Sequence, residues 1–148
     1  MPDQITEIVF YSIEKTIKAY RKFAQRRIDK AGIDITIDQW LVIKCLKDNE
    51  EITQNRLAEL IFKDVASVTR MIELLVKKGY IERFFNDTDR RRFALKITAA
   101  GENILKLVSD IVLENRAIAL SGLDNKKIEE LQSGLNLITE NCEKQTNN

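Results

Sequence analysis

The residues best suited to chemistry in this chain lie on one predicted helix between Asp64, which can cap its start, and Gly79, which ends it. The buried stripe of this helix consists of Val68, Ile72, Leu75 and Val76, and its outward positions include Ala66, Ser67, Thr69, Arg70 and Lys77. Small side chains admit the base edges of DNA, hydroxyls bond bases or phosphates, and arginine can bond guanine through two hydrogen bonds. The pattern therefore predicts a helix that can enter the major groove.

A shorter helix is predicted just before it, starting at Thr53 as the cap and burying Leu57, Leu60 and Ile61. Its first turn carries the polar side chains of Gln54 and Asn55. The free N–H groups of a helix start form a positive end that can hold a phosphate. The two helices together predict a helix-turn-helix reader of DNA.

A β-hairpin is predicted after the second helix. Residues 80–84 and 92–97 alternate apolar and polar side chains, and the polar segment 86–90 separates them. Asp89, Arg90 and Arg91 lie at or near the expected tip, from which a wing can reach the DNA backbone or minor groove. Strict alternation would put Arg91 on the apolar face unless the turn redirects it. Asp89 could do so by pairing with its guanidinium; the alternative is a surface ion pair of little consequence.

Four stretches carry a family resemblance: VASVTR at 65–70, LVKKGYIER at 75–83, DRR at 89–91 and ITAAG at 97–101. They resemble the MarR family of bacterial transcriptional regulators, whose wing signature runs Asp-x-Arg, five residues, Leu-Thr, two residues, Gly. This chain departs from the family pattern in having Ile97 for Leu in that signature and Ala66 where the recognition helix often has Pro. The resemblance extends over nearly the whole chain.

Composition narrows the function classes. The formal net charge is +1, but residues 63–101 hold nine Lys or Arg against five Asp or Glu, whereas residues 102–148 hold five against eight. A locally basic segment suits a phosphate-facing surface, although a solvated charged face would look the same. The chain has no histidine, so imidazole catalysis and histidine metal sites are excluded. No enzyme activity, metal or cofactor is expected, and the two cysteines, Cys45 and Cys142, lie in apolar helical stripes.

The terminal segments predict helices that need a partner. A long helix is expected from Pro2 and Asp3 to about Ala31, and an apolar seam follows Asp124 near the end. The seam consists of Ile128, Leu131, Leu135, Ile138 and Cys142. A heptad seam can be intramolecular core or a dimer interface. We predict one domain, residues 1–148, mainly α with a small β-wing: a winged helix-turn-helix at 36–101, flanked by dimerisation helices at 1–35 and 102–148.

The loop regions add two local expectations. Thr36 and Gln39 are spaced as a capping box, with Ile35 placed to pack on Trp40. Ile52 is expected to make a short strand contact with the wing sheet.

These patterns predict a dimeric, sequence-specific DNA-binding transcriptional regulator. The family resemblance implies a repressor at a palindromic operator of double-stranded DNA. It is expected in the cytoplasm, since no signal peptide or membrane segment is evident. The family resemblance implies an effector site where the dimer helices meet the reader, and its mixed aromatic and cationic walls suit a small aromatic acid. The candidate walls are Tyr20, Phe23, Arg27, Trp40, Ile43 and Lys44; the alternative is that the apolar ones are plain core. The alternative function is a winged-helix module that binds protein and not DNA.

Overall fold

The computed structural model of the chain describes residues 4–86 and 89–147, with side chains at residues 4–84 and 94–147. Six α-helices and one two-stranded sheet follow one another along this part of the chain. After a short 3-10 turn at Ile5–Glu7, the order is α1 (Val9–Lys30), α2 (Ile37–Asp48), α3 (Gln54–Ile61), α4 (Val65–Lys77), β1 (Ile81–Asn86), β2 (Asp89–Ile97), α5 (Ala99–Ala119) and α6 (Asn125–Thr146). The predicted fold class, mainly helical with a small β-wing, is confirmed.

Helix α1 begins later than the sequence predicts. The predicted start at Pro2 and Asp3 lies outside the described residues, and the backbone of Ile8 is still extended, with φ −80° and ψ 132°. The helix starts at Val9 without a side-chain cap, because isoleucine offers no oxygen to the free N–H groups of the first turn. It ends close to the predicted position, and Gly32 follows with φ +74°.

Helices α2, α3 and α4 begin where the sequence predicts, because each has a side-chain cap. Thr36 Oγ1 accepts from the N–H of Gln39 at 3.1 Å, and Gln39 Oε1 accepts from the N–H of Thr36 at 3.1 Å. The predicted capping box is therefore confirmed. Thr53 caps α3 and Asp64 caps α4, each through a side-chain oxygen that accepts a backbone N–H of the first turn.

One hydrophobic core holds the reader helices and the base of the wing together. Its side chains with less than 2% of their surface exposed are Ile28, Val42, Ile43, Leu46, Leu57, Val68, Ile72, Leu75, Ile81 and Val108. The stripe predicted for α4 is confirmed, with Val76 half-buried beside it. Each such side chain contributes roughly 1.5–3 kcal/mol on burial, so this core anchors α4 firmly.

Two local predictions are wrong. Leu60 was expected to point inward but is 42% exposed, since Leu57, Ala58 and Ile61 already fill the inward face of α3. Ile52 makes no strand contact in the described chain, where the sheet contains only β1 and β2. Its N–H donates to the carbonyl of Asn49 in a turn.

The wing is an antiparallel hairpin with regular pairing up to Phe85. Partners run from Ile81 opposite Ile97 to Phe85 opposite Phe93, and Asn86 then pairs with Asp89. One step along β1 therefore spans residues 90–92 of β2, which makes these three arginines a bulge. Asp89 and Arg90 belong to β2, so this strand begins before its predicted start at residue 92. The side chain of Arg91 lies outside the described residues, so its placement relative to the apolar face stays a prediction.

The chain divides into two units, Met1–Leu113 and Glu114–Asn148, with the boundary inside α5. The first unit holds the core described above. In the second unit, α6 has no buried residue. Its predicted seam is half-buried at Ile128, Leu135 and Ile138 and exposed at Leu131 and Cys142. The organisation into one domain stays a prediction.

Candidate nucleic-acid interface

The start of α4 is organised by the carboxylate of Asp64. Asp64 Oδ1 accepts from the backbone N–H of Ser67 at 2.7 Å, and Asp64 Oδ2 accepts from the Ser67 hydroxyl at 3.0 Å. The backbone hydrogen bond from Ser67, followed by the one from its hydroxyl, lowers the pKa of Asp64 below its ordinary value. The cap therefore stays ionised at neutral pH.

Arg70 extends this arrangement onto the exposed surface. Its Nη2 donates to Ser67 Oγ at 3.2 Å. The hydroxyl of Ser67 can accept from Arg70 while it donates to Asp64, because a hydroxyl has one proton and two lone pairs. The three side chains form a hydrogen-bonded chain that holds an exposed guanidinium beside the first turn of α4. Ser67 itself is half-buried, and Ala66 is exposed next to it.

Thr69 lies between α4 and α3. Its Oγ1 is 2.9 Å from the carbonyl of Val65 and 3.0 Å from Gln54 Oε1. The single hydroxyl proton is shared between these two acceptors, so the Thr69 hydroxyl can bind any further group only by accepting a hydrogen bond from it. Thr69 and Gln54, predicted as separate DNA contacts, are thus brought together and tie the two helices of the reader.

The remaining predicted contacts on α3 and α4 flank this cluster. Thr53 Oγ1 accepts from the N–H of Arg56 at 3.1 Å and so serves as the cap, and Asn55 is exposed in the first turn of α3. Lys77 is exposed at the far end of α4, roughly 16 Å along the axis from Ala66 at 1.5 Å per residue. Lys77 is therefore separate from the cluster around Arg70.

The wing contributes backbone positions only. Asp89, Arg90 and Arg91 lie on β2, but their side chains lie outside the described residues. The predicted pairing of Asp89 with Arg91 therefore stays a prediction.

A tight junction seats the wing against the end of α4 and the start of α5. Thr98 Oγ1 donates to the carbonyl of Gly79 at 2.6 Å and accepts from the N–H of Gly101 at 3.0 Å. A Cβ on Gly101 would lie 2.2 Å from the carbonyl oxygen of Tyr80 and 2.8 Å from Ile97 Cγ2. Only glycine lets the helix approach the strand this closely, which gives a physical reason for glycine at this place in the signature.

The candidate effector residues belong to α1 and α2, which contact each other. Trp40 and Ile43 are core residues, at 6% and 0% exposed, whereas Tyr20, Phe23 and Arg27 are half-buried. The charge of Lys44 is paired with Asp48 at 2.7 Å. Within the described residues, the buried indole N–H of Trp40 has no hydrogen-bond partner, which is uncommon for a buried polar group.

Comparison with known proteins agrees with the predicted helix-turn-helix and wing. The model of the MarR family matches residues 35–93, which span the helices α2 to α4 and most of the wing. The chain is 27% identical over 128 residues to the HTH-type transcriptional regulator SarZ of Staphylococcus haemolyticus, covering 84% of this chain and 83% of that protein. Residues 35–93 of this chain are therefore a MarR-family domain.

Solved structures share the fold of this chain. One concerns the regulation of DNA binding of Bordetella bronchiseptica BpsR by 6-hydroxynicotinic acid, with a TM-score of 0.83, 17% identity and coverage of 94% of this chain and 98% of that one. Another is a mutant of MarR from E. coli complexed with operator DNA, with a TM-score of 0.79, 24% identity and coverage of 93% and 99%.

The matched domain and the related regulators establish the broad function. With this domain the chain is a DNA-binding transcriptional regulator with a winged helix-turn-helix, and the prediction that it is not an enzyme is confirmed. Within its described part, no helix combines the length and the apolar character that a membrane crossing requires.

The sequence prediction missed Asp64 as part of the interface. Asp64 was interpreted only as a cap, whereas the structure shows that it also holds the hydroxyl of Ser67 and, through it, Arg70. The spacing of an aspartate three residues before a serine was the available signal, since the third helical residue faces the cap.

Proposed function

We propose that this chain binds a palindromic DNA operator as a homodimer, represses transcription there, and is released by a small aromatic acid. The observation that carries the proposal is the hydrogen-bonded chain from Arg70 through Ser67 to Asp64. It presents a guanidinium on the face of α4 opposite the buried stripe. Action on chromosomal DNA would place the protein in the cytoplasm.

Base reading is assigned to the first half of α4. Arg70 gives one hydrogen bond to a neutral hydroxyl, and a guanidinium has five N–H donors, so it can turn two of them to the O6 and N7 of guanine. Ala66 leaves room for the approach of a base edge. The phosphate contacts are assigned to Thr53, Gln54, Asn55 and Lys77. In the wing, Arg90 and Arg91 are assigned to the DNA, with Asp89 holding the guanidinium of Arg91.

Exposed apolar side chains support a homodimer. In the first unit they include Ile5, Ile8, Val9, Phe10, Tyr11, Ile17, Leu107 and Leu113, and in the second Ile118, Leu123, Leu131 and Leu137. Large apolar side chains left exposed on these helices lose their contact with water when a partner chain covers them. A two-fold dimer presents two copies of α4, which suits a palindromic site.

Sedimentation measures the dimer directly. The full chain is expected to sediment as a dimer at micromolar concentration, and a chain ending before Asp124 as a monomer or an aggregate. Leu60→Ser is a matched control, since Leu60 is 42% exposed on α3, which is not one of the terminal helices, and should leave the dimer intact. A stable monomer of the full chain would refute this part of the proposal.

Genomic footprinting and selection from random duplexes test the operator. We expect two inverted half-sites whose centres lie about one helical turn, roughly 34–36 Å, apart. A reporter with this operator over its promoter should lose transcription when the regulator is present. Enrichment of a single, non-palindromic site, or a rise in transcription, would contradict the palindrome or the repression respectively.

The region between α1 and α2 is assigned to the effector. Within the described residues, the buried indole N–H of Trp40 is a hydrogen-bond donor without an acceptor. Arg27, on the other helix of this pair, carries a positive charge. A carboxylate or hydroxyl of an aromatic acid can accept from the indole N–H, and the positive charge of Arg27 favours an anion in this region. The structure of BpsR, whose DNA binding is regulated by 6-hydroxynicotinic acid, supports this chemical class by analogy of fold. Ile43 is fully buried and would be reached only if the core rearranged.

Trp40 is the single tryptophan of the chain, so its fluorescence reports this region alone. Salicylate is expected to quench Trp40 emission and to weaken operator binding over the same concentration range. Cyclohexanecarboxylate serves as the non-aromatic control and should do neither. If a panel of aromatic acids changes neither signal, the effector assignment is wrong while operator binding stands.

A further inference from the structure

The carboxylate of Asp38 joins three elements of the first unit. On one side, Asp38 Oδ1 accepts from Nη2 of Arg21 on α1. On the other, Asp38 Oδ2 lies 3.6 Å from Nζ of Lys63, in the turn between α3 and α4. The side chain of Asp38 is only 21% exposed, so both contacts are partly shielded from water.

The turn holds Lys63 in place by its backbone geometry. Phe62 adopts the left-handed conformation, with φ 59° and ψ 42°, and its side chain is 92% exposed. The N–H of Lys63 donates to the carbonyl of Ala58 at 3.0 Å and that of Phe62 to Glu59 at 3.4 Å, the pattern of a Schellman cap.

Two features of this cap are unusual. Glycine usually occupies the left-handed position, and a phenylalanine there costs free energy without burying its ring. An apolar side chain usually follows and packs on the helix, whereas Lys63 follows here and faces Asp38. The contact that closes the cap is therefore ionic and reaches another helix.

Lys63 directly precedes Asp64, the cap of the recognition helix α4. The series of contacts from Arg21 through Asp38 to Lys63 therefore ends one residue before Asp64. Asp64 in turn begins the hydrogen-bonded series that holds Ser67 and Arg70. We propose that Asp38 is a positioning residue, which sets the orientation of α4 relative to α1 by holding Arg21 and Lys63 together. The inference rests on the proposed DNA binding and adds a determinant of operator specificity that makes no DNA contact of its own.

A matched pair of variants tests the proposal in the full-length protein. Asp38→Asn and Asp48→Asn remove the same charge from the same helix, but the ion pair of Asp48 in the described residues is with Lys44, four positions before it on that helix. Simple electrostatics predicts tighter DNA binding for both, because a negative charge is removed. We expect Asp38→Asn instead to weaken binding to the wild-type operator about 3- to 10-fold relative to Asp48→Asn, as for coupled, partly exposed pairs.

Two further readouts separate positioning from mere stability or charge. Binding to a random duplex, and the slope of log Kd against log salt, should be the same for the two aspartate variants, since the number of phosphate contacts is unchanged. Lys63→Gln should lower the operator-to-random affinity ratio, and Lys63→Arg, which keeps the ion pair, should restore it. These lysine variants keep the test decisive should Asp38→Asn fail to fold.

A double-mutant cycle closes the test. If Asp38 acts through Lys63, the variant with both Asp38→Asn and Lys63→Gln should bind the operator no more weakly than the weaker single variant. Additive losses, or equal affinity of Asp38→Asn and Asp48→Asn for the operator, would overturn the proposal. Failure of the wild type to prefer any duplex would refute the proposed function itself, and is recognised before any variant is compared.

Discussion

Gly101→Ala offers a sharp test of how α5 is seated on the reader. The added Cβ would lie 2.2 Å from the carbonyl oxygen of Tyr80 and 2.8 Å from Ile97 Cγ2. The closer atom belongs to the backbone, which cannot rotate away as a flexible side chain can. The start of α5 must therefore move away from the strand.

The structure sets the size of this effect. Ordinary contact requires about 3.4 Å, so the helix must shift by roughly 1 Å, which would lengthen the hydrogen bonds of Thr98 to Gly79 and Gly101. Overpacking against an immobile neighbour costs about 3 kcal/mol. For a chain of this length, that lowers the melting temperature by roughly 6–12 °C.

Gly134→Ala is the matched control. Gly134 lies inside α6, and a Cβ there would meet nothing within 4 Å. The same substitution should stabilise this helix by about 0.5–1 kcal/mol, because alanine loses less backbone entropy than glycine. The melting temperature should rise by roughly 1–4 °C.

Thermal unfolding followed by circular dichroism measures both variants, at one protomer concentration because association shifts apparent stability. The melting temperature should be lowest for Gly101→Ala, intermediate for the wild type and highest for Gly134→Ala. A melting temperature of Gly101→Ala within about 2 °C of the wild type would refute the steric argument.

The other predictions concern the DNA-facing residues. Arg70→Ala should weaken operator binding by roughly 1–3 kcal/mol per half-site in fluorescence anisotropy, and an equal loss on random duplex would indicate a phosphate contact instead. Arg91→Ala should keep the melting temperature but make the salt dependence of binding shallower by about one counterion per wing. Asp89→Ala should weaken binding although it removes a negative charge, and tighter binding would show that Asp89 does not organise the wing. Hydrogen bonds from Ser67 lower the pKa of Asp64, so the ionised carboxylate stabilises the fold at pH values above its ordinary pKa of 3.8. This stabilisation is lost as the pH falls through the lower pKa of the folded state. The melting temperature of the wild type should therefore exceed that of Asp64→Asn by a constant amount near neutral pH, and this excess should shrink only in the acid range.

Local physical chemistry explains what the sequence determined by itself. A hydroxyl or carboxylate before a helix satisfies its own free N–H groups, so Thr36, Thr53 and Asp64 mark three helix starts in any context. The stripe of α4 and the alternation of the hairpin follow from the helix and strand periods. These signals depend on neighbours within a few residues of one another. The family signature then identifies which of the predicted helices form the helix-turn-helix reader.

Tertiary structure decided which of these residues act together. The exposure of Leu60, the bulge that takes up the three arginines at 90–92, and the approach of Gly101 to Tyr80 depend on how separate elements pack. Asp38 had no sequence signal beyond a helix start, since its partners lie 17 and 25 residues away. The spacing of residues along one element fixes only their relative direction on that element, whereas a contact between elements depends on the loops and on the core that fills the space between them.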